Sequence, residues 1–132
     1  MEDQATTPTP TAIPRKILVL LDNLFFAAKI NQAALQVNVQ PVYAKTSARG
    51  LAIARADYPA QIIIDLDEAK CEPLEFIAQL KADNDLRAIP TLGFVSHVSI
   101  GLQQQAREAG CDRVIARSAF DRNLPALLSQ NS

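Results

Sequence analysis

Short apolar runs alternate along this chain with stretches of helical spacing, and the two periods lay out an α/β domain. Lys16 to Leu21 (KILVLL) is nearly all apolar, as a strand covered on both faces must be. Leu24 to Leu35 carries Leu24, Ala27, Ala28, Ala34 and Leu35 near helical spacing and reads as a helix. Gln40 to Ala44 is a short strand, and Pro41, which cannot donate to a ladder, either weakens that reading or places the strand at an edge. Thr46 or Ser47 can cap the next helix, which runs to about Asp57 with Leu51, Ala52 and Ala54 facing inward. Tyr58-Pro59 ends it, because a residue before proline is steered away from helical backbone.

Gln61 to Asp65 (QIIID) is the most strand-like run in the sequence. Pro73 suits the first turn of a helix to about Ala82 that buries Leu74, Ile77 and Leu80. Ile89-Pro90 leads into a strand, Thr91 to Val95; Ser99 to Ala109 is helical, and Gly110 stops it. Arg113 to Ala116 is a fifth strand. Ser118 or Asp121 starts a last helix through Leu128, with Pro125 tolerated because it lies near the first turn. Strand then helix, five times over, predicts a parallel sheet with helices on both faces, since parallel strands need crossovers. Five units are too few for an eight-fold barrel, so the expected architecture is an open, doubly wound five-stranded sheet, (βα)5. In such sheets ligands sit at the carboxyl ends of the strands.

Residues 1–14 break the pattern. MEDQATTPTPTAIP has almost no bulky apolar residues and cannot offset its ordering entropy, so it is expected to be a disordered Thr/Pro-rich tail before one domain over 15–132. The chain of 132 residues, 48% hydrophobic, has enough apolar material for one core. A net charge of -1 argues against holding nucleic acid by field alone, and no DNA-binding output domain follows Leu128. No run approaches the ~20 apolar residues that cross a bilayer, and no secretory signal opens the chain, so a cytoplasmic protein without membrane contact is expected. Cys71 and Cys111 form no CxxC and, with the lone His97, no zinc-type cluster; they read as ordinary reduced thiols.

The strand-end rule then selects the chemistry. The first strand ends at Leu21-Asp22-Asn23, the third at Asp65-Leu66-Asp67-Glu68, the fourth at Ser96-His97 and the fifth at Arg117-Ser118. Carboxylates, a hydroxyl and a guanidinium on one rim can serve a hard divalent cation and a phosphoryl group. There is no GxGxxG, no GxxxxGK[ST] and no GxSxG. Missing phosphate loops and 5% aromatic content disfavour a flavin or other small-molecule carrier on the same scaffold.

In order and spacing, ILVLLDN, YPAQIIIDLD, LEFIAQLK, IPTLGFVS and EAGCDRVIARSAF resemble the receiver domain of bacterial response regulators, the CheY-like, flavodoxin-like family, over roughly Lys16 to Leu128. The resemblance implies a signalling module and not an enzyme. In it Asp65 accepts a phosphoryl group from a histidine kinase or phosphotransfer protein. Ser96 binds a phosphoryl oxygen, and Arg117 stands where a lysine pairs with the phosphoryl group. It also implies Mg²⁺ on Asp22 and Asp65, with Asp67 near enough to help from the loop. A downstream protein partner, or a homodimer, would use the face of the fourth helix, fifth strand and fifth helix.

Five departures accompany the resemblance. Leu21 falls where a first metal-binding acid is expected, which weakens the Mg²⁺ site. Arg117 keeps the charge of lysine but not its geometry. His97 stands where a small residue admits the phosphodonor, and Val114 replaces an aromatic switch residue. The loop after Asp65 lacks its usual Asp-Gly. These favour a second reading, a pseudo-receiver that docks proteins without phosphoryl chemistry.

Overall fold

The computed structural model describes residues 14–96 and 99–129. The proposed N-terminal tail, apart from Pro14, and His97 lie outside the described residues. In chain order the elements are β1 (Arg15–Leu20), α1 (Leu24–Gln36), β2 (Val39–Ala44), α2 (Ser47–Asp57) and β3 (Gln61–Asp65). A 3₁₀ turn (Ala69–Cys71), α3 (Pro73–Ala82), β4 (Thr91–Val95), α4 (Ile100–Ala109) and β5 (Arg113–Ala116) follow, then α5 (Arg117–Arg122) and α6 (Leu124–Leu128). All strand pairs are parallel and the order is β2-β1-β3-β4-β5. That is the flavodoxin-like order, with the expected Pro41 strand at one edge.

The period of two along the strands divides the core. Ile17, Val19, Ile63, Leu92 and Phe94 face one layer, where Phe26, Ile30 and Ala33 of α1 meet Phe120 of α5 and Leu127 of α6. Leu18, Leu20, Ile62 and Ile64 face the other, against Leu51 and Ala54 of α2, Phe76, Ile77 and Leu80 of α3 and Ala106 of α4. β1 and β3 lie inside the sheet, and Ile17 to Leu20 and Ile62 to Ile64 are fully buried. Each such side chain contributes roughly 1.5–3 kcal/mol of apolar burial.

Side-chain caps start three helices. Asn23 Oδ1 accepts from the Phe26 N–H, Thr46 Oγ1 from Arg49 and Ser99 Oγ from Leu102. Gly110, at φ 112°, closes α4 in left-handed backbone that other residues avoid. Gly50 lets α2 approach α3, since a Cβ there would lie 2.7 Å from Phe76 Cε1.

Three expectations need correction. Ala52 faces solvent, because Ala54 and Gly50 carry the inward stripe of α2. Leu74 is only partly buried, and Phe76 takes the central place on α3. The last helix is two: α5 begins at Arg117, Asn123 interrupts it, and Pro125 then falls in the first turn of α6, where its missing N–H costs nothing.

One network ties the amino-terminal edge of the sheet together. Asp112 Oδ2 accepts from the Thr91 N–H (2.8 Å), the Thr91 hydroxyl (2.9 Å) and Lys81 Nζ (3.1 Å). Lys81 also donates to the Arg87 and Ile89 carbonyls. Burial alone would raise the Asp112 pKa, but the Thr91 and Lys81 hydrogen bonds outweigh it and hold it below the ordinary carboxylate value.

Candidate functional site

The opposite, carboxyl-terminal edge brings most of the singled-out side chains together. Asp65 is the last residue of β3, in the middle of the sheet, and is 3% exposed. Its Oδ1 accepts the Asp67 N–H at 3.0 Å, and its Oδ2 lies 3.4 Å from Arg117 Nη2. Burial raises its pKa above the ordinary carboxylate value. The Asp67 N–H and the Arg117 charge pull the other way, and the Asp67 and Glu68 carboxylates add to the rise.

Arg117 follows β5 directly and opens α5. Its guanidinium carbon lies 5.2 Å from the ring centroid of Phe26 and 5.5 Å from that of Phe94. Phe94 stacks on Phe120 at 4.7 Å, and Phe26 meets both rings edge-on. The aromatic cluster therefore fixes where the guanidinium points, as cation–π contact does for a planar cation. Arg117 Nε is buried and has no hydrogen-bond partner among the described residues.

Asp67 turns its carboxylate to β4: Oδ2 accepts the Ser96 N–H at 2.6 Å. Ser96 is exposed at the end of that strand and lines a cavity of about 440 Å³ with Phe25, Lys29, Arg117, Ser118 and Asp121. Asp22, with its side chain 35% exposed, stands after β1 between two ammonium groups, Lys45 Nζ at 3.9 Å from Oδ1 and Lys70 Nζ at 3.9 Å from Oδ2. Leu21, 2% exposed, packs into the α1-side core and offers the rim nothing. The loop beyond Asp65 winds into the 3₁₀ turn, and Glu72 at φ 52° is left-handed, a turn unlike the Asp-Gly one that is missing.

Much of the donor set that would hold a divalent cation is engaged within the protein. Both Asp65 oxygens and one Asp67 oxygen already have partners within the protein, and Asp22 is flanked by cations. Among the described residues no group of three or more His, Cys, Asp or Glu side chains is placed to hold a metal ion. Reading the sequence missed Lys45, Lys70, Phe26 and Phe94. Lys45 was within reach of the strand-end rule, since it follows β2 directly; Lys70 and the ring pair are brought in by the fold.

The parallel β2-β1-β3-β4-β5 sheet, with a buried acid at the tip of its central strand, is a doubly wound, flavodoxin-like α/β domain. No family model matches the chain. A curated relative, the polar-differentiation response regulator DivK of Brucella anthropi, is 22% identical over 105 residues, 80% of this chain and 85% of that protein. Among solved structures, the phosphorylated cyanobacterial phytochrome response regulator RcpA superposes with TM-score 0.74 at 22% identity, covering 88% of this chain and 89% of its own. The Mn²⁺-bound response regulator Rcp1 superposes with TM-score 0.71 at 16% identity, covering 88% and 90%. The sequence and structural similarities both run to response-regulator receiver domains, and they show the fold that this chain shares with them.

Proposed function

We propose that this chain is a signalling receiver that docks a protein partner through its folded surface, without phosphoryl transfer. The observation that carries the reading is the Asp65–Arg117 pair. The carboxylate is 3% exposed, both its oxygens are engaged, and its cation lies against two aromatic rings that touch each other. Phosphoryl transfer works by positioning and by neutralising developing charge. A nucleophile that is buried and already paired with a guanidinium, on a rim whose other acids are largely engaged, is better placed to hold the sheet edge in one shape. Exposed Leu24, Phe25 and Ile100 beside that edge suit a module whose output is protein contact. No helix among the described residues is long and apolar enough to cross a membrane.

A second reading, phosphorylation of Asp65 by a histidine kinase or phosphotransfer protein, draws on its place at the tip of β3 beside Ser96 and Arg117. One experiment separates the two. The protein and its Asp65→Asn variant are incubated with Mg²⁺ and acetyl phosphate, or with beryllofluoride, and followed by intact mass and amide NMR. Docking without transfer predicts no adduct and no shift in either protein. A Mg²⁺-dependent adduct on wild type that Asp65→Asn lacks would establish the second reading.

A further inference from the structure

We infer that Lys45 and Lys70 are built-in counter-cations for Asp22 that exclude divalent metal ions from the carboxyl-terminal rim. The topology makes this possible. β1 lies between β2 and β3, so the residue after β2 and the turn after β3 reach Asp22 from opposite sides. One ammonium faces each carboxylate oxygen, at 3.9 Å in both cases. With Leu21 turned into the core, Asp22 is the one carboxylate supplied by the β1 end. Its charge is therefore compensated within the protein, as that of Asp65 is by Arg117.

The effect is one of field. A divalent ion seated on Asp22 stands within a few ångströms of two positive charges, and Coulomb repulsion at that range weakens binding by about tenfold or more even in water. Mg²⁺ adds a second obstacle. It dehydrates reluctantly and relies on one or two well-placed carboxylates, whereas both Asp65 oxygens and one Asp67 oxygen here point to N–H donors and to Arg117. The lysine side chains are 70% and 78% exposed, so removing them leaves no buried hole. The docking reading draws on the same rim, but the test here reads metal and not partner, so the two can fail separately.

The probe is Mn²⁺, whose free-ion electron paramagnetic resonance signal disappears on binding. Wild type should leave the signal nearly unchanged, and Lys45→Gln/Lys70→Gln should bind Mn²⁺ at least about tenfold more tightly, each single substitution giving part of the gain. Adding Asp22→Asn to the double variant should abolish the gain, and far-UV circular dichroism melts should show all variants folded. A wild type that binds as tightly as the double variant, a double variant that binds as weakly as wild type, or a gain that survives Asp22→Asn would overturn the inference.

Discussion

Replacing Arg117 by methionine removes the guanidinium while keeping a long side chain against Phe26 and Phe94, and so isolates what the charge does for Asp65. Asp65 is almost wholly buried, and among the described residues Arg117 is the cation acting on it. Breaking a buried pair from one side costs roughly 3–5 kcal/mol. This pair has a single 3.4 Å contact and its guanidinium side is 35% exposed, so water screens part of it and about 1–2 kcal/mol is expected. Lost cation–π contact adds about 0.5–1 kcal/mol, of which the thioether recovers some. A destabilisation of about 2 kcal/mol follows, or a Tm lower by roughly 5–10 °C in a domain of this size.

The sign of the pH dependence is set by Asp65. Its folded-state pKa lies above the ordinary 3.8, so burying the charged form costs stability, and that cost appears as pH rises through the folded pKa. Without Arg117 the cost grows. The deficit of Arg117→Met should be largest at neutral pH and should shrink as Asp65 is protonated. In an Asp65→Asn background, where there is no charge to neutralise, Arg117→Met should cost under about 1 kcal/mol. Urea melts of the four proteins at acid and neutral pH measure this. An Arg117→Met protein within about 0.5 kcal/mol of wild type at pH 7, or an equal loss in both backgrounds, would refute the reasoning.

Asp112→Ala should cost about 2–4 kcal/mol by orphaning the Thr91 N–H and hydroxyl and one Lys81 contact, read by urea denaturation. Because the Asp112 pKa is lowered in the fold, its contribution is present above the ordinary 3.8 and is lost as pH falls through the folded value, the reverse of Asp65. Gly50→Ala should destabilise by about 1–3 kcal/mol, since its Cβ would press on the buried Phe76 ring at 2.7 Å; a neutral melt would mean that α2 shifts freely. Tyr58, exposed and left-handed at φ 44°, should accept glycine with a gain of about 0.5–1 kcal/mol, visible as a higher Tm.

Much of the fold was legible because parallel strands must be apolar on both faces: KILVLL and QIIID announced β1 and β3, and Pro41 announced the edge. The strand-end rule likewise pointed to Asp22, Asp65, Ser96 and Arg117, since it needs only the order of elements. Burial directions were harder. Leu24 and Leu35 have helical spacing yet are 84% exposed, because Phe26, Ile30, Ala33 and Ala34 take the inward face of α1. Periodicity finds a helix, but the neighbour it packs against decides which stripe is covered.

What the rim does lay outside the sequence for the same reason. Local pattern records which residue types follow each strand, whereas charge compensation depends on distances between residues far apart in the chain. Lys45 and Lys70 meet Asp22, and Phe26 and Phe94 flank Arg117, only because β2 and β3 are laid on either side of β1 and α1 and α5 share one face of the sheet. The chain alone determined a doubly wound sheet with acids at its carboxyl edge; tertiary packing decided that those acids already hold their own cations, because electrostatic energy follows separation in space and not along the chain.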